Sequence, residues 1–556
     1  MDSLYKGYPV GYIITWKNPD VRLKDGSLSS GKKILIDGQQ RITALRAAML
    51  GEEVLDKEYK EKRIVISFNP TTEEFETQNP AIRRSKEWIQ DISEILKTDG
   101  TLITAVHEYC EQNEGADRGQ VEQAITQLLG IKNKQVGFID LEANLDIETV
   151  TEIFIRINSK GVVLSQADFA MSKIASYEGE GNFGVNLRKC IDYFAHVLRD
   201  SSFYEHIAEN DKDFMHTDYA QKIQWAKQEN GSLYLPDYAD ILRVAFTKKF
   251  NRGKMSDLVA LLSGRNFETR EFEQDIQQQS FAKLRDGVLD AVKQTHYERF
   301  TMIMKSIGFI ESWMIRSDMA LNFAYALYLK LREQGAEASE IERLVKRWFV
   351  MSYLTSRYSA AAESMIDSDI KEIERRGARE YLTVLEETNL SDTFWNVGLL
   401  EELDKFTLNN PFISVFFAAQ VKDGDRGFLS RDITVANMIA HRGDIHHIFP
   451  KEYLKQKYRR QAEYNHIANY VYAQTEVNIK IGKQSPKEYM ETVLQQCNGG
   501  PAKYGGISSK DDLDHNLREQ CIPDGFVDME LDDYESFIAS RKKLIAARMK
   551  EYYFSL

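Results

Sequence analysis

Residues 176–400 carry almost nothing but helical periodicity, and this run limits the fold more than any other feature of the chain. Segments such as "DMALNFAYALYLKLREQ" and "SEIERLVKRWFVMSYL" repeat apolar residues every three or four positions. The whole chain of 556 residues holds ten prolines, so little interrupts long helices. Ahead of the run, strand-like and helical pieces alternate: "VGYIITW", "KKILID", the amphipathic "RITALRAAML" and "KRIVISF". That order predicts a small α/β unit. After the run, the loop signals "VKDGDRG" (421–427) and "CNGGPAKYGG" (497–506) bracket a compact C-terminal module. The chain is too long for one core. The expected fold class is α+β and predominantly helical, with an α/β domain over 1–175, a helical middle over 176–400 and a C-terminal module over 401–556.

Composition narrows the function classes. With 43% hydrophobic and 28% charged residues the chain has the material for packed globular domains. No window approaches the roughly 18 apolar residues of a membrane span, and the start "MDSLYKGYPV" has no basic segment leading into an apolar one. A cytoplasmic location with no membrane partner is expected. Cys110, Cys190, Cys497 and Cys521 are far apart and form no C-x-x-C pair, which argues against a disulfide framework or a cysteine zinc knuckle. A net charge of −13 disfavours coating of nucleic acid over the whole surface. Between His441 and Met490, however, nine Lys/Arg (Arg442, Lys451, Lys455, Lys457, Arg459, Arg460, Lys480, Lys483, Lys487) stand against five acids. A solvated face is the default reading of this local surplus; beside a site that acts on nucleic acid, phosphate contact is the better one.

Four of the ten histidines fall between His441 and His466, two of them adjacent in "RGDIHHIFPKEYL". The segment "DIHHIF" is β-prone, and neighbouring side chains on a strand point to opposite faces. Asp444 and His446 therefore share one face and His447 takes the other. Downstream, "NYVYAQTEVN" (469–478) is expected to form a second strand with a polar end, followed by the helix-compatible "IKIGKQSPKEYM".

The order strand, strand, helix, with His then Asn then Asn, resembles the ββα-metal fold of HNH nucleases. Phosphodiester hydrolysis needs a base to deprotonate water and a divalent cation to stabilise charge on the leaving oxygen. The resemblance implies His447 as general base, His446 and Asn478 as metal ligands for Mg2+ or Mn2+, Asn469 as hydrogen-bonding the loop that orients the base, and Asp444 as a further metal or supporting residue. The cysteine pairs that bind structural zinc in some HNH proteins are absent, so packing must hold this module together.

The second informative stretch is "ILIDGQQRITAL" (34–45). A strand ends in Asp37, Gly38 permits a tight turn, and Gln39, Gln40 and Arg41 stand at the start of the next helix. Unpaired N–H groups there, with the planar donor fork of Arg41, suit phosphate. Gln and Arg at such a turn serve equally well as structural hydrogen bonders. No GxxxxGK[ST] occurs, which excludes a P-loop.

"DGQQR" together with "FIRINSKGVVLSQADF" (154–169) resembles the N-terminal domain of GmrSD-type modification-dependent (Type IV) restriction proteins. That resemblance implies a ParB/sulfiredoxin-like fold and nucleoside triphosphate binding and hydrolysis by Asp37, Gly38, Gln39, Gln40 and Arg41, with Arg156 and Asn158 lining the same pocket. Ser165 and Asp168 form an S-x-x-D helix start. "LTSRYSAAAES" (354–364) is similar to the helical middle of the same proteins. Such proteins carry a further segment ahead of "DSLYKGYPVGYII", so the N-terminal domain is expected to be incomplete. The function implied is a nucleotide-regulated HNH endonuclease cutting or nicking modified phage DNA, with double-strand cleavage by sequential nicks or a homodimer. The alternatives are a nucleotide- or DNA-binding regulator with an inactive HNH module, and an RNA-cleaving abortive-infection nuclease.

Overall fold

The computed structural model describes residues 1–16, 34–55, 61–97, 102–142, 153, 165–177, 183–228, 233–271, 273–404, 410–441, 443 and 445–556. The chain divides into two compact units, Met1–Leu164 and Ser165–Leu556.

In the first unit, β1 (Tyr12–Trp16) is the centre of a three-stranded sheet, antiparallel to β2 (Ile34–Asp37) and parallel to β7 (Gly137–Leu141). A parallel pair needs a long crossover. Helices and two small hairpins fill it: β3 (Glu53–Leu55) with β4 (Glu61–Arg63), and β5 (Ile66–Asn69) with β6 (Glu74–Thr77). Helix Arg118–Leu129 buries Val121, Ala124, Ile125 and Leu128, one stripe at helical spacing. Asp117 caps it, accepting a hydrogen bond from the backbone N–H of Gly119 at 2.8 Å. Tyr5, Phe68 and Phe75 pack ring against ring, with centroids 4.7–5.5 Å apart.

The second unit is nearly all helix. It opens on the expected cap: the Ser165 N–H donates to Asp168 Oδ2 at 2.9 Å and the Asp168 N–H to Ser165 Oγ at 3.2 Å, starting helix Gln166–Ser176. Helix Tyr238–Phe250 packs on Gln274–Ala291 and on Asp318–Glu333, and the latter packs on Ala338–Leu354. Every residue from Ala320 to Leu331 is buried, which accounts for the all-round apolar sequence of that helix. The "LTSRYSAAAES" segment builds a buried polar knot. Arg357 Nε donates to Asp369 Oδ2 at 2.7 Å, the Tyr358 and Tyr381 hydroxyls donate to the same carboxylate at 2.8 and 3.0 Å, and Trp348 Nε1 donates to the Tyr358 oxygen at 3.0 Å.

One apolar cluster runs from Ala167 to Tyr553, so the helical middle and the C-terminal segment share a core. Helix Tyr534–Phe554 packs on Ala338–Leu354, Leu399–Asp404 and Pro411–Asp423. The Tyr552 hydroxyl donates to the Ile307 carbonyl at 2.6 Å, and that of Tyr553 to Glu386 Oε1 at 2.6 Å. Among the described residues no helix is long and apolar enough to cross a membrane.

Candidate active site

Strand β8 (Ile445–His447) pairs antiparallel with β9 (Tyr470–Tyr472), setting His446 opposite Val471 and His447 opposite Tyr470. Alternation along β8 turns the two imidazoles to opposite faces, with His446 buried and His447 partly exposed. The His447 ring meets Tyr470 edge to face, centroids 5.1 Å apart. Its Nε2 lies 2.8 Å from Asn465 Oδ1. An amide oxygen only accepts, so Nε2 carries the proton and Nδ1 keeps its lone pair. Burial is the main cause of the lowered pKa of this imidazole; the Asn465 hydrogen bond opposes it, and the charges of Lys451 and His446 add to it.

The backbone after His447 is held by Asn469 and Tyr489, and the segment paired with it by Arg541. Asn469, fully buried, accepts from the Phe449 N–H at 2.8 Å and donates to the Phe449 carbonyl at 3.0 Å and to that of Tyr464 at 3.4 Å. The Tyr489 hydroxyl donates to the Ile448 carbonyl at 3.0 Å. Arg541, with no exposed surface, donates among the described residues to backbone carbonyls alone, those of Ala468, Tyr470 and Gln520. Burial lowers its pKa to about 10. Neither Asn465 as the partner of His447 nor Arg541 was identified from sequence. Asn465 opens the "NHIAN" that ends in Asn469, whereas nothing local marks Arg541.

The expected second strand needs correction. Strand β9 stops at Tyr472, Asn469 ends a single 3-10 turn (Ile467–Asn469), and Asn478 lies on helix Thr475–Ile481. The reason is spacing: Val477 and Ile481, four apart, both face the core, and a strand would send them to it only by also burying Ile479, which is 70% exposed. The Asn478 side chain is half-buried and makes no hydrogen bond among the described residues, leaving its amide oxygen available. Asp444 lies outside the described residues. Among those that are described, no three His, Cys, Asp or Glu side chains converge as a metal cluster.

Much of the basic surplus is neutralised. Lys455 pairs with Glu452, Lys457 with Asp532, Arg460 with Glu463 and Lys487 with Glu530, at 2.6–2.8 Å. These four residues have carboxylate partners within the chain.

In the first unit, β2 ends at Asp37, Gly38 adopts φ +105°, and a helix runs from Gln39 to Leu45. A Cβ at Gly38 would sit 3.3 Å from Ile13 Cα, so both conformation and space call for glycine. Arg41 Nη2 donates to Asp37 Oδ2 at 2.7 Å and Nη1 to the Tyr12 carbonyl. Gln39 and Gln40 are exposed. Arg156 and Asn158 lie outside the described residues.

A glycine turn between strand and helix thus carries two exposed glutamines and an anchored arginine at the head of helix Gln39–Leu45 in the N-terminal α/β unit. Residues 1–175 match the GmrSD restriction endonuclease, N-terminal domain. An uncharacterized protein of Methanocaldococcus jannaschii is 24% identical over 219 residues, which span 37% of each chain. The match thus covers well under half the length of that curated relative.

Proposed function

We propose that the protein is a restriction-type endonuclease with an HNH site in its C-terminal segment and a nucleoside triphosphate site at DGQQR. The hydrogen bond between His447 and Asn465 carries this reading, because it leaves Nδ1 as the free lone pair of an imidazole that burial keeps neutral. That is the state a general base requires. Nδ1 takes a proton from the attacking water as the bond to the leaving oxygen of the phosphodiester breaks. Asn469 and Tyr489 hold the following backbone and so keep the base in one orientation. His446 and Asn478, with Asp444, offer an imidazole nitrogen and oxygen donors of the kind Mg2+ or Mn2+ accepts. When bound, the cation stabilises charge on the leaving oxygen.

At the N-terminal site Arg41, among the described residues, spends two donors on Asp37 and Tyr12, which leaves others for a phosphate. Gln39 and Gln40 face solvent beside it. This supports triphosphate binding in a ParB/sulfiredoxin-like domain, and by that route nucleotide control of cleavage. The substrate proposed is modified phage DNA met in the cytoplasm, cut by sequential nicks or by a homodimer.

The test incubates the protein and His447→Ala with modified phage DNA and matched unmodified plasmid, with Mg2+ or Mn2+, with and without each nucleoside triphosphate. Cleavage confined to modified DNA and lost in the variant is expected. Full activity of His447→Ala, or activity that survives chelator, overturns the HNH assignment. Cleavage of RNA alone would favour the abortive-infection reading.

A further inference from the structure

Ile479 is 70% exposed and directly follows Asn478. The helix that carries both turns Val477 and Ile481 inward, with 3% and 6% exposure, so Ile479 stands on its outer side. Exposed Lys480 follows on the same edge, and exposed Lys483 lies just beyond the helix. The Lys480 ammonium donates to the Lys503 carbonyl at 3.0 Å, which brings a third exposed lysine to this edge; its Nζ lies 5.0 Å over the Tyr504 ring. None of the three pairs with a carboxylate among the described residues, in contrast to Lys455, Lys457, Arg460 and Lys487. Exposed Glu476 is the one acid on this side of the helix, leaving the edge net positive.

We infer that this edge is a DNA contact in which Ile479 inserts between base steps in the minor groove while Lys480, Lys483 and Lys503 neutralise adjoining phosphates. The inference rests on the nuclease reading above. A single aliphatic side chain with lysines beside it is too small for a stable protein interface, which buries on the order of 1,200 Å² or more. A groove with an apolar sugar wall and anionic rims is complementary to it in both shape and charge. Insertion unstacks and bends the duplex, which opens the backbone where Asn478 stands. Because Ile479 is largely exposed, its replacement leaves the fold intact.

The experiment uses the full chain in the His447→Ala background, without added metal, so that binding is read apart from chemistry. A short duplex carrying 2-aminopurine, and the matching single strand, are titrated by anisotropy and fluorescence at several salt concentrations. Ile479→Ala should weaken duplex binding about tenfold, abolish the unstacking signal and leave the single strand and the salt slope unchanged. Lys480→Gln with Lys483→Gln should lower the salt slope by about two. Duplex affinity of Ile479→Ala within about twofold of its parent, an unstacking signal that persists, or no duplex binding at all overturns the inference. The nuclease reading fails by a different signature: a protein with His447 intact that binds duplex in this manner yet never cuts it with either metal.

Discussion

Arg541 Nη1 lies 2.7 Å from the carbonyl oxygen of Ala468, 73 residues away in sequence. The same nitrogen reaches Tyr470 at 3.0 Å, so one guanidinium grips the carbonyls on both sides of Asn469. Arg541→Met removes these bonds and leaves buried carbonyls unsatisfied, at a cost of about 2–4 kcal/mol. Urea denaturation measures it, and Arg541→Lys should recover part of the loss. An unchanged midpoint for the methionine variant would show that Arg541 does not hold β9.

Asn465 fixes the tautomer of His447. Asn465→Ala should reduce cleavage about 10–100-fold while the substrate is still bound. Nitrogen NMR of the ring should show the Nε2 proton no longer confined to that site. Wild-type turnover with an altered tautomer would separate the hydrogen bond from catalysis.

Asp369 faces Arg357 and two tyrosine hydroxyls with none of its surface exposed. Asp369→Ala strands a buried guanidinium and should cost about 3–5 kcal/mol. Replacing Asp369 and Arg357 together by apolar residues should cost less than the single change, a comparison that a double-mutant cycle makes directly.

Burial, with the Arg199 charge adding to it, lowers the His196 pKa from 6.5 to about 4. The unfolded chain therefore binds the proton more readily, and the contribution of this residue is complete above pH 6.5 and lost as pH falls toward 4. The loss at the acid end should be on the order of 2 kcal/mol. His196→Gln should flatten stability over that window; an identical slope in both proteins would assign acid sensitivity elsewhere.

What the sequence made legible was local. The turn at Gly38 follows from a strand meeting a helix through the one residue that tolerates φ +105°, and the Ser165–Asp168 cap is an i, i+3 pattern. The long central helices show their period directly. Residues 469–478 misled because aromatic and β-branched residues favour strand locally, while the pull of Val477 and Ile481 toward a distant core decides for helix. Lys457 and Lys487 looked free because their partners, Asp532 and Glu530, lie 75 and 43 residues on. Arg541 was invisible for a related reason: its acceptors are carbonyls, which every residue has.

Helix Tyr534–Phe554 ends bonded to Ile307 and Glu386, and its flank lies in the same apolar cluster as residues near Ala167. A fragment beginning at residue 401 would bare that flank and the buried face of Pro411–Asp423, so it should aggregate rather than fold as a portable module. The C-terminal segment is less a cartridge than one end of a single casting, and swapping it between proteins would mean carrying the helical middle along.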